Sequence, residues 1–438
     1  MSSPLFALVD GNNFYVSCER VFRHSLRTSP CVVLSNNDGC AIARSNEAKD
    51  LGIKMGAPWF QIQHLQESAG LVALSANFEL YGEISDRMMS LVAALGHRQE
   101  IYSIDESFVD VGGIQGDITE RARAIRARVN QWIGIPTCVG IGPTKTLAKL
   151  ANHISKQAER KPGSYPPELA QVADLSRLPS SQLDGLLAAT DVGEVWGVGR
   201  RIAEQLKAQG VSTVLDLKRM TPSAARAGWS VIFERTVREL QGEPCMDMED
   251  VAPAKQEIAC TRSFGAPVRE IDELIEAVTD FSGRAAQKLR GQASTSGQVM
   301  VFIRTSPFRK TPQYSRSVVV PLRSPSADTA AITGAALMGL KAIYKGGFEY
   351  AKAGVMLLDI GPASTVQLEL DLESDDPAPN ARPRLMDALD SVNDRFGRGT
   401  LKLASAGLGA APRNWKMKQE RRTPAYTTRW EDMPVVRA

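Results

Sequence analysis

The stretch EIYSIDESFVDV, Glu100 to Val111, limits most sharply what this chain can fold into. Its apolar and β-forming residues Ile101, Tyr102, Ile104, Phe108, Val109 and Val111 read as strand, yet Asp105 and Glu106 stand side by side within it. Adjacent carboxylates repel each other and lose hydration there, so the fold must bring positive charge to this point. A second apolar run, Leu5 to Val9, ends on Asp10 and turns through Gly11, Asn12 and Asn13 into a helix starting near Phe14. If the two runs pair, three carboxylates converge on one sheet edge within reach of water. Hard oxygen donors with no neighbouring His or Cys suit Mg²⁺, and such a cluster points to two-metal phosphoryl transfer. Taken alone, an Asp-Glu pair is more often the solvated tip of a polar hairpin. Phe14 and Tyr15, just after Asp10, read either as the first core residues of the helix or as aromatics that pack on a sugar or base.

At 438 residues the chain is too long for one compact core and is expected to form about three domains. Hydrophobic residues at 43% and charged residues at 23% suit a globular protein, and no run approaches the roughly 20 apolar residues that span a bilayer. The start, MSSPLFALVDGNNF, carries no export pattern, so a cytoplasmic location with no membrane role is expected. Six cysteines and four histidines are dispersed without ligand spacing, which argues against a zinc site or a disulfide framework. The net charge of +3 does not by itself announce a nucleic-acid binder.

CVVLSN, the turn NDGC and AIAR read as a hairpin, with Asp-Gly supplying the positive φ, and SNEAKDLGIKMG as a helix ending at Gly52. Helices are expected over Gly82 to Leu95 and Asp117 to Ile133, followed by the strand TCVGIG. In PTKTLAKLANHISKQ, Leu147, Leu150 and Ile154 share one helical face, with Lys145, Lys149 and Lys156 on others. PGSYPP breaks the chain, and Leu175 to Gly242 is almost wholly helical. Within it, Val195 to Leu217 reads as two helices about a Gly197-Val198-Gly199 turn. Gly197 and Gly199 let backbone N–H groups approach a phosphate, Arg200 and Arg201 add charge, and such a helix-hairpin-helix grips DNA without reading sequence. A plain helical hairpin is the competing reading. After the linker GEPCMDMEDVAPAKQE, a unit of strands and helices carries a modest basic excess. Arg304, Arg309 and Lys310 sit at one of its strand ends and Arg316 on the next strand, a pattern shared by DNA-backbone sheets and ordinary solvated faces.

ALVDGNNFYVSCE, SNNDGCAIAR, YSIDESF, GIGPTKTLAKLANHISK, VWGVGRRI and VRELQGEPC, in this order and spacing, resemble the Y-family translesion DNA polymerases, most of all the UmuC-type catalytic subunit of bacterial DNA polymerase V. The resemblance covers nearly the whole chain. It implies an α+β multidomain right-hand polymerase: palm, with an antiparallel or mixed sheet, and small fingers over residues 1–173, the fingers at about 20–80. A helical thumb with the helix-hairpin-helix follows over 174–242, a linker over 243–255, and an α/β little finger over 256–362. Residues 363–438 form a tail, partner-binding or partly disordered. The implied activity is error-prone translesion synthesis by transfer of dNTPs to a primer 3′-OH on primer-template DNA, in DNA repair and the SOS response.

Residue by residue, the resemblance makes Asp10, Asp105 and Glu106 the ligands of two Mg²⁺ ions, with Mn²⁺ as a substitute and the Gly11 carbonyl as a further ligand. Tyr15 matches the steric gate against a ribose 2′-OH, and Phe14 its neighbour under the sugar. Lys156 and Lys49 match triphosphate contacts; Lys49 falls where related archaeal enzymes have an arginine, and Asn46 where they have a tyrosine. Ala41 and Ile42 match the roof over the nascent base pair, small enough to leave room for damaged bases. Asn12 replaces the second acidic residue of a common D-x-D form. Gln367, Leu368 and Leu370 fit a sliding-clamp motif, but Asp371 stands where its aromatic anchor belongs. A processed UmuD-type dimer and a RecA filament are the implied partners. Two rivals keep some of these features: a nucleotidyl cyclase, which has no use for the DNA-binding modules, and an inactive DNA-binding scaffold.

Overall fold

The computed structural model describes residues 4–249, 253–364, 381–407 and 414–435. It comprises two compact units, Met1–Ser35 with Gly39–Ala252 and Arg421–Ala438, and Asn36–Asp38 with Pro253–Glu420. No helix of the described residues is long and apolar enough to cross a membrane.

The first unit contains strands β1 (Phe6–Gly11), β2 (Cys31–Leu34), β3 (Ala41–Arg44), β4 (Val72–Ser75), β5 (Arg98–Ile101), β6 (Glu106–Asp110), β7 (Thr137–Gly142) and β8 (Val172–Asp174). One sheet has the order β5-β6-β1-β7-β8, with β1 antiparallel to both neighbours and β8 parallel to β7. Central β1 is covered on both faces: Ala7 and Val9 join one apolar core, Phe6 and Leu8 another. That is why its sequence is an unbroken apolar run. A smaller sheet, β3-β2-β4, has its own core of Val32, Leu34, Ala48, Ile53 and Ile62.

EIYSIDESFVDV is not one strand. It splits into β5 and β6 around a turn at residues 102–105, because Ser103 closes the chain on itself: its hydroxyl donates to Asp105 Oδ1 at 2.7 Å and receives the Glu106 N–H at 3.1 Å. In the β2–β3 connection the positive φ falls on Asn37 (59°) and Asp38 (52°), while Gly39 is at −77°. Asparagine and aspartate tolerate this region, so the glycine is not what makes the turn. The helix expected from Gly82 begins four residues earlier, as Phe78–Val92.

The helix Lys145–Arg160 crosses the sheet unusually closely. A Cβ on Gly140 of β7 would lie 2.1 Å from the Asn152 nitrogen and 2.2 Å from the Ala148 oxygen. Its N-terminus is tied by buried Glu239 of VRELQGEPC, whose Oε2 accepts the Thr146 N–H at 2.9 Å and whose Oε1 accepts those of Cys245 and Met246 at 2.9 and 3.0 Å. A carboxylate at a helix start satisfies free N–H groups and opposes the positive end of the dipole. Leu147, Leu150 and Ile154 pack with Leu187, Val192, Leu206, Leu217 and Phe233 of the helical stretch beyond. There the Gly-x-Gly turn differs from expectation: it is preceded by a single 3₁₀ turn, Val192–Glu194, and followed by the helix Arg200–Ala208.

The second unit is a four-stranded antiparallel sheet of β9 (Ile258–Val268), β10 (Ser294–Thr305), β11 (Ser315–Ser326) and β12 (Tyr350–Pro362), in the order β11-β10-β12-β9. Helices Ile271–Gly291 and Thr329–Ile343 pack on it through a core that includes Phe281, Leu289, Val299, Val301 and Ile303. In the tail, Arg290 on the first of these helices forms a bidentate pair with Asp390 of the helix Ala381–Phe396, both contacts at 2.7 Å. Residues 367, 368 and 370 lie outside the described residues.

Gly140→Ala should destabilise the first unit by about 2–3 kcal/mol, since backbone and not a flexible side chain meets the new methyl. A denaturant midpoint equal to the parent's would contradict the close helix–sheet approach.

Candidate active site

Asp10, next to last in β1, lies directly opposite Glu106, the first residue of β6, and the Gly11 N–H donates to the Asp105 backbone carbonyl at 2.8 Å. The turn carrying Asp105 is held from behind, where the Ser85 hydroxyl donates to the Ile104 carbonyl at 2.6 Å. Asp10, Gly11, Phe14, Tyr15, Ile42, Lys49, Asp105, Glu106 and Lys156 line one cleft of about 410 Å³. Ala41 does not line it; its side chain is buried in the core of the small sheet.

The positive charge that the carboxylates demand comes from one helix face. Lys145, Lys149 and Lys156 recur at i, i+4 and i+11, which is a single stripe of an α-helix and not separate faces. Each meets a different carboxylate. Lys156 reaches Asp10 Oδ2 at 2.5 Å and Lys149 reaches Glu106 at 2.8 Å. Lys145, almost fully buried, pairs with Glu100, whose Oε2 also accepts the Glu249 N–H at 2.8 Å. Lys149 further lies 4.4 Å from the centre of the Tyr102 ring and 5.5 Å from that of Trp196. The spacing of the lysines was the available signal for Lys145 and Lys149.

Burial pushes the Asp10 carboxyl up to about 7, against the pull of Lys156 and with Glu106 and Asp105 adding to the rise. One ammonium therefore does not fully compensate it. Among the described residues no three carboxylate, imidazole or thiol groups converge closely enough to make a ready metal cage. The donor chemistry nonetheless fits a divalent ion: hard oxygens from two strands, one of them short of positive charge, with ammonium groups standing at the carboxylates.

Both aromatics line the cleft, but Phe14 is buried and belongs to the core, whereas Tyr15 is half-buried. The Tyr15 ring stacks on Tyr81 with centroids 4.6 Å apart and meets Phe78 edge-on at 5.9 Å. Burial first, and then the Asp105 carboxylate, raise the Tyr15 phenol above its ordinary pKa. On the opposite wall Lys49 donates to Asn13 Oδ1 at 2.6 Å, and Asn13 donates to Asn46 at 3.1 Å. Arg44, which sequence reasoning did not single out, also lines the cleft. Burial, followed by the charges of Arg160, Arg44 and Lys156, pulls Lys49 down to about 8. Such mutual repulsion marks a place that a polyanion would stabilise.

The residues expected on DNA lie elsewhere. Gly197 takes φ 87°, and Arg200 and Arg201 are exposed at the start of the helix Arg200–Ala208. In the second unit Arg304 and Arg316 line a shallow groove with Met300, Phe302, Met356 and Lys352, the last not anticipated. Arg309 is instead drawn to Glu349 at 3.4 Å, and Lys310 is exposed.

The impB/mucB/samB family model matches residues 9–153, and the impB/mucB/samB family C-terminal domain matches 255–370. Residues 383–436 match a domain of unknown function, DUF4113. The chain is 45% identical over 433 residues to Protein UmuC of Salmonella typhimurium, covering 98% of this chain and 99% of that one. The chain belongs to the UmuC-type Y-family DNA polymerases, the error-prone enzymes of translesion synthesis. Protein ImpB of Salmonella typhimurium is 44% identical over 99% of this chain and 100% of its own. The fold is similar to that of a solved Y-family DNA polymerase chimera, Dbh-Dpo4(243-245)-Dbh, with a TM-score of 0.62 at 18% identity, covering 82% of this chain and 99% of that one.

If Lys49 contacts a bound nucleoside triphosphate, affinity should fall above about pH 8 by up to about tenfold per pH unit, because Lys49 would then have to take up a proton on binding. Equilibrium binding across that range checks this, and Lys49→Arg, which stays charged, should remove the fall.

Proposed function

We propose that this cleft is the polymerase active site and that its residues divide the work of adding a dNTP to a primer 3′-OH. The observation that carries the reading is the meeting of Asp10, Asp105 and Glu106 in the same cleft as Tyr15, Lys49 and Lys156. Asp10, Asp105 and Glu106, with the Gly11 carbonyl, would hold two Mg²⁺ ions. When bound, the ions would supply activation of the attacking hydroxyl and neutralisation of the departing pyrophosphate.

The chain's own groups do the rest. Lys49, Lys156 and Arg44 attract and orient the triphosphate. Binding would draw Lys156 from Asp10 toward phosphate oxygens, freeing a carboxylate for the ion. The Tyr15 ring blocks the position of a ribose 2′-OH, and Ile42 lies over the base pair, with the small side chain of Ala41 behind it leaving the roof thin. Gly197, Gly199, Arg200 and Arg201 hold the DNA backbone through a helix start, and Arg304, Arg316 and Lys352 do so through the second unit's sheet. In this reading residues 1–173 are palm and fingers, 174–242 the thumb and 256–362 the little finger.

A cytoplasmic protein acting with a processed UmuD-type dimer and a RecA filament completes the proposal. Primer extension on an abasic template by the full chain, with and without those partners, tests that dependence.

Asp105→Ala or Glu106→Ala should abolish primer extension while leaving primer-template binding within about twofold, since neither carboxylate attracts phosphate. Equal loss of both activities would instead identify a folding defect or a non-catalytic role. Tyr15→Ala should raise ribonucleotide incorporation relative to deoxyribonucleotide by at least about tenfold, read from kcat/KM for each sugar.

A further inference from the structure

The C-terminal segment from Arg421 onward, part of the stretch matched by the domain of unknown function, packs into the catalytic unit behind the cleft. It engages the chain where β4 passes into the helix Phe78–Val92. Arg421 and Ser75 bond reciprocally: the Ser75 N–H donates to the Arg421 carbonyl at 3.1 Å, and the Arg421 N–H donates to the Ser75 hydroxyl at 2.9 Å. Fully buried Asn77 donates to the Thr423 carbonyl at 3.3 Å, its hydroxyl at 3.2 Å and the Pro424 carbonyl at 3.2 Å. Arg422 reaches Asn77 Oδ1 at 3.2 Å and Glu79 at 2.6 Å. Tyr426 stacks on Phe22 with centroids 4.7 Å apart.

This grip leads to the aromatic at the cleft. Thr423 donates its hydroxyl to Glu19 Oε1 at 3.1 Å, and the same oxygen accepts the Tyr81 hydroxyl at 2.7 Å. Glu19 is fully buried, and its Oε2 has no partner among the described residues. Among the described residues, two hydrogen bonds on one oxygen are thus all that satisfies this carboxyl group. Tyr81, itself fully buried, presents the ring on which Tyr15 stacks, and Phe78 supplies the edge contact. Among the described residues, none of the C-terminal segment lines the cleft.

We propose that Thr423 is a positioning residue for sugar selection, fixing Tyr15 through Glu19 and Tyr81. This rests on Tyr15 being the steric gate. A gate works by collision, so its selectivity depends on where the ring is held, whereas the Tyr15 ring carries none of the carboxylate or ammonium groups proposed to act in dNTP addition. The C-terminal segment is therefore built into the specificity of the active site and is more than a tether for partners.

The test uses the full-length chain, with the accessory proteins proposed above, and compares kcat/KM for a ribonucleotide and the matching deoxyribonucleotide. Thr423→Val, which keeps shape and removes the hydroxyl, should relax discrimination by about fivefold, with deoxyribonucleotide addition little changed. Thr423→Ser should restore the parent ratio, and Thr423→Val placed on Tyr15→Ala should add nothing. If Tyr15→Ala relaxes sugar choice but Thr423→Val does not, or if Thr423→Val has its full effect without Tyr15, the positioning role is overturned and the gate stands. If Tyr15→Ala leaves sugar choice unchanged, the gate assignment falls and takes this inference with it.

Discussion

Three lysines on one helix face, each set against a carboxylate of the sheet, are the constraint on which the catalytic unit depends. Lys145 meets Glu100, Lys149 meets Glu106 and Lys156 meets Asp10. Taking carboxylates out of water is costly, and for the buried pair Lys145–Glu100 removing one partner would typically cost about 3–5 kcal/mol because the other charge is left stranded, the two more exposed pairs contributing less. The helix can therefore sit in only one register on the sheet. Gly140 allows that approach by having no Cβ, and Glu239 ties the helix start.

The same pairing makes the site responsive. Lys145 is almost fully buried and structural, whereas Lys156 keeps 35% of its side chain exposed and faces the cleft. Along one helix the lysines thus pass from the buried interior to the cleft. Asp10, with its pKa raised to about 7, remains short of positive charge even with Lys156 beside it. A centre that exchanges ammonium for metal and phosphate would use that shortage, because the bound state would supply what the free protein lacks.

Much of the site was legible because its chemistry is local. Asp10 at the end of an apolar run, the Asp105-Glu106 pair and the aromatics after Gly11 all stand in short segments whose patterning is plain. Both readings of SIDES hold part of the answer: it is a hairpin turn, and it carries both Asp105 and Glu106 to the cleft. Phe14 and Tyr15, adjacent in sequence, differ in burial, Phe14 packed in the core at the cleft wall and Tyr15 half-buried, because successive helical residues point about 100° apart. The lysine stripe was legible too, since i, i+4 and i+11 share a face, but it yields its meaning only when the spacing is set against the carboxylates.

By itself the sequence determined the apolar run that ends near Asp10, the apolar face of the helix Lys145–Arg160 and the chemical types that must be compensated, because these depend on residues a few positions apart. Only the tertiary structure decided which lysine meets which carboxylate, that Gly140 is where a helix backbone touches the sheet, and that Thr423 stands 3.1 Å from Glu19 across 404 positions of chain. Such pairs carry no periodicity and no shared motif. They come from the packing of the whole unit, in which a buried carboxyl group takes whatever donor the fold brings to it.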